Sequence, residues 1–128
     1  MTYVDSSVVL AYLFVEDRIP PDVFWDNDLV ASRLLEYEVW NRINARRLGE
    51  ARLERARLLL HRVSLIELAP PFLERALEPF PVPVRTLDAL HLATLDHLHR
   101  NGANVELASY DQRLLAAARS LHIPVLAL

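Results

Sequence analysis

The fold of this chain is decided by its opening stretch, Thr2-Tyr-Val-Asp5 followed by Ser6-Ser-Val-Val-Leu-Ala-Tyr-Leu-Phe14. The β-branched and aromatic residues before Asp5 predict a short buried strand. The two serines that follow are good helix caps, and the apolar residues after them predict the body of a helix. A strand that runs directly into a helix is the repeating unit of alternating α/β folds.

The same alternation continues along the chain. We predict a helix start after Pro20-Pro21, a short helix between Pro70 and Pro79, and an extended connection over 80–84, where prolines interrupt the chain. Strands alternating with helices imply a parallel sheet covered on both faces. The further strands are predicted at 29–31, 64–68, 105–109 and 125–128, and the longer helices at 32–47, 50–62, 86–100 and 112–121.

Length and composition predict a single domain over 1–128, with no repeat or linker visible. The chain has no cysteine, which excludes disulfides, thiol catalysis and cysteine-ligated zinc. No apolar run approaches the roughly 20 residues of a membrane helix. The amino terminus also lacks the pattern of a signal peptide. We therefore expect a cytoplasmic protein that does not associate with membranes.

All 14 basic residues are arginines, and the net charge is −3. Residues 33–62 hold eight arginines and four glutamates, a local charge of +4, whereas the remainder carries −7. A basic segment on an acidic body could bind phosphates. The alternatives are codon bias and a solvated helical hairpin in which the arginines serve solubility and i,i+4 pairing.

Four acidic residues, Asp5, Glu38, Asp88 and Asp111, lie in apolar settings where strands meet helices or within a predicted helix. A carboxylate in such a setting is unfavourable to desolvate unless a charge compensates it. Because the carboxyl ends of parallel strands share one rim, acids far apart in sequence can converge there. A converged set needs a divalent cation, and hard oxygen ligands favour Mg²⁺ or Mn²⁺.

Each acid also has a simpler explanation. Asp5 and Asp111 can cap the helices that follow them. Glu38 can form an i,i+4 ion pair with Arg42, and Asp88 lies in a first helical turn, where the helix dipole favours negative charge. Four such acids at the junctions of one small α/β domain favour a shared site.

The histidines and tryptophans are weaker candidates for function. His91, His97 and His99 lack the i,i+4 spacing of a helical zinc pair, so structural or solvated roles are favoured. His91 lies one turn from Asp88 and could orient it or pack beneath it. Trp25 and Trp40 are interpreted as core or subunit contacts.

The acids occur in motifs that resemble those of the PIN-domain nucleases, specifically the VapC-type toxins of type II toxin–antitoxin pairs. The resemblance covers essentially the whole chain, and its third motif is the most specific. The four motifs, in chain order, are Asp5-Ser-Ser-Val-Val-Leu10, Ser32 with Glu38-Val39, Asp88-Ala-Leu-His-Leu-Ala93, and Ser109-Tyr-Asp111-Gln-Arg-Leu114 with the alanines that follow.

This resemblance implies a PIN-like three-layer α/β/α domain with a central, mainly parallel, twisted sheet and a protruding helical hairpin. It implies a Mg²⁺-dependent endoribonuclease, with Mn²⁺ as a possible substitute, that acts as a toxin. The implied partners are an RNA substrate, a cognate antitoxin and a second copy of the chain in a homodimer. The implied catalytic and metal-binding residues are Asp5, Glu38, Asp88 and Asp111.

Other residues are assigned supporting roles on the same basis. Ser7 and Ser109 are expected to hydrogen-bond the carboxylates, and Arg42 and Arg46 to contact the RNA backbone. The alternatives are a PIN-domain nuclease of RNA processing and a catalytically silent PIN-like binding module. A phosphoryl-transfer or receiver-like domain fits less well, since it would need a lysine. One departure is His122, which stands where the family usually has glycine, so the bend there is expected to differ.

Overall fold

The centre of the fold is a parallel sheet of four strands, seen in a computed structural model that describes all residues 1–128. The strand order is β3-β2-β1-β4. The predicted α/β fold with a mainly parallel sheet is confirmed. The strands are β1 (Thr2–Val4), β2 (Leu29–Ser32), β3 (Val63–Ile66) and β4 (Glu106–Ala108).

The two middle strands are buried along their whole length. Every residue of β1 and β2 is buried, as the continuous apolar run of a central parallel strand predicts. The register pairs Tyr3 with Val30 on one side and Val4 with Ala108 on the other. The carboxyl ends of β1 and β4 therefore lie side by side.

Six helices cover the sheet. The first, α1, packs against α2 and α3, whereas α5 packs against α4 and α6. Right-handed crossovers from β1 to β2 to β3, and back from β3 to β4, place these two groups on opposite faces. No helix combines the length and apolar character needed to cross a membrane. The helices are α1 (Ser6–Phe14), α2 (Leu34–Asn44), α3 (Glu50–Leu60), α4 (Pro70–Ala76), α5 (Thr86–Arg100) and α6 (Gln112–Ser120).

The helical hairpin formed by α2 and α3 is anchored by its inner faces. Leu35, Val39 and Ile43 of α2 are buried at helical spacing, and Ala56 and Leu60 of α3 join the same core. The arginines of these two helices, Arg42, Arg52, Arg55 and Arg57, lie on their outer faces and are exposed to solvent.

Two predicted elements are smaller than expected. The segment after Pro20-Pro21 is a short 3-10 helix over Asp22–Asp26. The predicted last strand over 125–128 is wrong, because only Val125 bridges Leu107 in parallel. Since β4 has three residues and then turns away at Ser109, it offers no further partner to the terminal residues.

A buried ion cluster joins α4 to α5. Asp96 is 2% exposed, and its Oδ2 accepts a hydrogen bond of 2.9 Å from Arg75 Nε and lies 3.1 Å from Arg100 Nε. The Arg75 guanidinium also lies over the Phe80 ring, 4.2 Å from its centroid. No sequence pattern distinguishes Asp96 from a surface acid. Its charge is compensated, as a buried carboxylate requires.

The chain turns at His122 with a left-handed backbone. His122 adopts φ 59, the left-handed conformation that glycine adopts without steric cost. A side chain with Cβ at this position therefore carries some strain, which a glycine would relieve.

Replacing this residue tests that strain. We expect His122→Gly to raise the free energy of unfolding by about 0.5–1 kcal/mol, because relief of the left-handed penalty exceeds the entropy cost of glycine. His122→Ala is the matched control, since it removes the same imidazole but keeps Cβ, and it should not stabilise. Urea denaturation of the three proteins measures the difference. Equal stability of the Gly and Ala variants would refute the explanation.

Candidate functional site

The site lies at the carboxyl end of the sheet, where β1 and β4 finish together. Asp5 follows β1 directly, and its backbone N–H donates to the Ala108 carbonyl over 3.0 Å. Ser109 follows β4 directly. Residues more than 100 positions apart therefore meet because two parallel strands end at the same rim.

The Asp5 carboxylate is held by two serine hydroxyls. Its Oδ2 accepts from Ser7 Oγ at 2.6 Å and from Ser109 Oγ at 2.8 Å, with a longer contact of 3.4 Å from the Ser7 backbone N–H. Asp5 is only 6% exposed. Burial raises the pKa of Asp5 above its usual range, and the serine bonds offset part of that effect.

The two serines are themselves fixed by the backbone of the next loop. The Tyr110 N–H donates to Ser7 Oγ, and the Asp111 N–H donates to Ser109 Oγ, each over 2.9 Å. This pair of contacts ties the start of α1 to the loop after β4. It also places Asp111 at the edge of the pocket that contains Asp5.

Asp111 is the N-cap of α6. Its Oδ1 accepts from the backbone N–H groups of Arg113 at 2.9 Å and Leu114 at 3.4 Å. Its second oxygen makes no hydrogen bond within the chain. The capping roles expected for Asp5 and Asp111 are therefore both present, and each leaves carboxylate capacity unused.

Asp88 lies within electrostatic range of the other three acids. It lies in the first turn of α5 and accepts no hydrogen bond from the chain. Burial raises the pKa of Asp88, and the negative charges of Asp111, Asp5 and Glu38 raise it further, while His91 acts in the opposite direction. The four acids that the sequence singles out therefore lie near the same end of the sheet.

Glu38 contacts a histidine on another helix. Its Oε1 lies 2.5 Å from His91 Nε2, and the expected ion pair with Arg42 does not form. His91 Nδ1 lies 2.7 Å from Tyr3 Oη, and Tyr3 Oη accepts from the Ser32 N–H at 3.0 Å. The suggestion that His91 orients Asp88 is replaced by this contact with Glu38.

His91 is buried and lies beside acids. Burial lowers the pKa of His91, but its hydrogen bond to Glu38 and the charges of Glu38, Asp5 and Asp88 raise it by more, so the net direction is upward. Burial also raises the pKa of the Tyr3 phenol well above its usual range. Tyr3 was missed in the sequence, because a tyrosine in a buried strand looks like an ordinary core residue.

The carboxylate oxygens of the four acids suit a hard divalent cation, although they do not form a complete coordination sphere. None of the four acids pairs with an arginine, and oxygen is the only ligand atom that they offer. No group of three acidic or histidine side chains is arranged to hold one ion. Mg²⁺ usually keeps several waters and uses one or two carboxylates, so the arrangement is suited to partial, water-mediated ligation.

The arginines expected to contact RNA lie on the exposed face of α2 and just beyond it. Arg42 is exposed and makes no ion pair. Arg46 is also exposed, and its guanidinium lies 4.4 Å from the centroid of the Phe14 ring at the end of α1. Arg57 and Arg33 are paired with acids of the hairpin. Arg42 is therefore the less constrained of the two candidates.

Comparisons with known proteins agree with this geometry. The family model described as "PIN domain" matches residues 2–120. The chain is 30% identical to Ribonuclease VapC47 of Mycobacterium tuberculosis (strain CDC 1551 / Oshkosh), covering 94% of this chain and 92% of that protein. It is 30% identical to Ribonuclease VapC46 of the same species (strain ATCC 25618 / H37Rv), covering 98% and 95%.

A solved structure shares the fold. PAE2754 from Pyrobaculum aerophilum superposes with a TM-score of 0.58 at 21% identity, covering 91% of this chain and 78% of that one. The chain belongs to the PIN-domain family. The more specific resemblance to VapC-type ribonucleases, stated from the motifs, is also confirmed.

The acid cluster predicts an unusual dependence of stability on pH in protein freed of metal. Because Asp5 and Asp88 have raised pKa values, their ionisation opposes folding, and stability should rise as pH falls from 8 to about 5. The raised pKa of His91 acts in the same direction, because protonation then favours the folded state. Urea titrations in chelator measure this slope.

Asp88→Asn should relieve the repulsion. We expect the free energy of unfolding of the metal-free variant at pH 7 to exceed that of wild type by about 0.2–1 kcal/mol, which is the size of an exposed charge-pair effect. The free energy of unfolding of the variant should also change less with pH. Asp17→Asn makes the same change of charge at an exposed position without an ion pair, and serves as the control. Loss of stability in Asp88→Asn relative to that control would contradict the mutual repulsion.

Proposed function

We propose that this protein is a Mg²⁺-dependent endoribonuclease, with Mn²⁺ as a substitute, and that it is the toxin of a toxin–antitoxin pair. The proposal is supported by Asp5, Glu38 and Asp111 lying within electrostatic range of Asp88, with no arginine paired to any of the four. Both curated relatives are named as ribonucleases, which favours this function over a silent binding module.

We assign each acid a role at the cation according to the hydrogen bonds that it already makes within the chain. Asp5, fixed by two serines, and Asp88, which has no partner within the chain, would hold the cation directly. Asp111 and Glu38, each with one oxygen engaged by the chain, would ligate directly, through water or at a second ion. The ion, when bound, supplies a more acidic water and stabilises charge on the phosphate and leaving oxygens.

The chain's own residues then orient the reaction. The serine bonds hold the Asp5 carboxylate in one rotamer, so ordering it costs little when the substrate arrives. Asp111 is held by the first turn of α6 in the same way. Because this chemistry uses no ribose 2′-oxygen, the products would carry 5′-phosphate and 3′-hydroxyl ends.

RNA must approach this pocket against its negative charge. We propose that Arg42 and Arg46, on and just beyond the hairpin helix that carries Glu38, contact the backbone phosphates. Arginine offers a planar fork that suits phosphate oxygens. Neutralising phosphates beside the acids would allow the scissile group to enter.

Two protein partners complete the proposal. We propose a cognate antitoxin that covers the acidic pocket and a homodimer of this chain, both in the cytoplasm, where cellular RNA is accessible. A strict monomer in size-exclusion chromatography with light scattering would contradict the dimer.

The cleavage test uses total cellular RNA and the purified protein, freed of any antitoxin. We expect Mg²⁺- or Mn²⁺-dependent cleavage that chelator abolishes, with ends ligatable as 5′-phosphates in sequencing of the products. Asp88→Asn should reduce the rate by at least about 100-fold, the loss typical for one group that stabilises a transition state. Asp17→Asn, prepared identically, should cleave normally. Full activity of Asp88→Asn, or cleavage in chelator, would refute the proposal.

A further inference from the structure

A line of hydrogen bonds leads from the sheet to Glu38. The Ser32 N–H at the end of β2 donates to Tyr3 Oη, which contacts His91 Nδ1, and His91 Nε2 contacts Glu38 Oε1. Four elements contribute one residue each: β2, β1, α5 and α2. Tyr3 is fully buried and His91 is 2% exposed, whereas the Glu38 side chain is 22% exposed. The line therefore begins in the core and ends at the pocket.

The direction of each bond follows from donor and acceptor chemistry. Since the Ser32 N–H can only donate, Tyr3 Oη accepts it and can direct its own proton to His91 Nδ1. That assignment leaves the proton of a neutral imidazole on Nε2, where it donates to Glu38 Oε1. Every polar group in the line then has a partner, which buried polar groups require.

These hydrogen bonds also explain why the Glu38 side chain contacts His91 of α5 and not Arg42 of its own helix. A surface glutamate at this position would pair with Arg42 one turn later, and that pair is absent. Instead, Oε1 is held from α5, on the far side of the sheet rim, and Oε2 makes no hydrogen bond within the chain. The tyrosine and histidine rings meet edge to face, with centroids 5.9 Å apart, so the imidazole cannot swing freely.

We propose that His91, fixed in its tautomer and orientation by Tyr3, is a positioning residue that holds Glu38 with one oxygen directed to the metal pocket. This inference rests on the proposed function, since it assigns Glu38 a role at the cation. In this role neither His91 nor Tyr3 would touch substrate or metal. Outer contacts of this kind typically change metal affinity or activity about 10–100-fold when removed.

The experiment measures Mn²⁺ binding by electron paramagnetic resonance and RNA cleavage on the same preparations. His91→Leu should weaken Mn²⁺ binding and slow cleavage by about 10–100-fold. His91→Gln, whose amide can donate to Glu38, should recover most of both. His97→Leu makes the same substitution on the same helix, beside Phe72 and away from the acids, and should change neither.

A double-mutant cycle separates positioning from general packing. In a Glu38→Gln background, His91→Leu should cause no further loss, because the group it positions is already altered. Equal losses in both backgrounds, or wild-type binding and cleavage by His91→Leu, would overturn the proposal. If His91→Leu does not fold, Tyr3→Phe replaces it, since it removes only the hydroxyl. A loss of the same kind is then expected, and an unchanged Tyr3→Phe would count against the proposal.

Failure of the proposed function would be visible separately. Wild-type protein that neither binds Mn²⁺ nor cleaves RNA would remove that function itself. The contact between His91 and Glu38 would still be tested in metal-free protein. If the two side chains interact, the effects of His91→Leu and Glu38→Gln on the urea midpoint are not additive. Strictly additive midpoints would overturn the inference.

Discussion

The structure depends on a carboxylate that the fold buries without giving it a positive partner. Asp5 is held by two serine hydroxyls and lies within electrostatic range of other acids. The same chain treats another buried acid differently, since Asp96 is enclosed by Arg75 and Arg100. Arginine is plentiful in this sequence but pairs with none of Asp5, Asp88 and Asp111, and under the proposed function a cation from solution would compensate their charge.

The sheet topology is what assembles this site. Because β1 and β4 are parallel neighbours, Asp5 and Ser109 emerge at the same rim, and the serine contacts then fix Asp111 beside them. The crossover through α5 returns the chain across the opposite face and brings Asp88 to the same end. The acids are thus placed by strand order, and the local sequence around each one needs only to end a strand or begin a helix.

The difference between local sequence patterns and contacts set by strand order explains how much the sequence could predict. Strand and helix periodicity was enough to predict the order of the elements up to the last strand, and the acidic motifs singled out Asp5, Glu38, Asp88 and Asp111. Local patterns could not show that Glu38 contacts His91, because that pairing depends on how α2 and α5 meet across the rim. The last strand was overpredicted, because Val125 bridges Leu107 but the residues that follow it form no ladder.

Thermal melting of the wild-type protein in chelator, and then in Mg²⁺ or Mn²⁺, shows whether the acids of the folded protein bind a divalent cation. A cation that binds only the folded state stabilises it by mass action, by about 2.7 kcal/mol at 100 times its dissociation constant. We predict a clear rise in melting temperature that depends on metal concentration and that is lost when Asp5 is replaced by asparagine. An identical melting temperature with and without metal would rule out the proposed cation site.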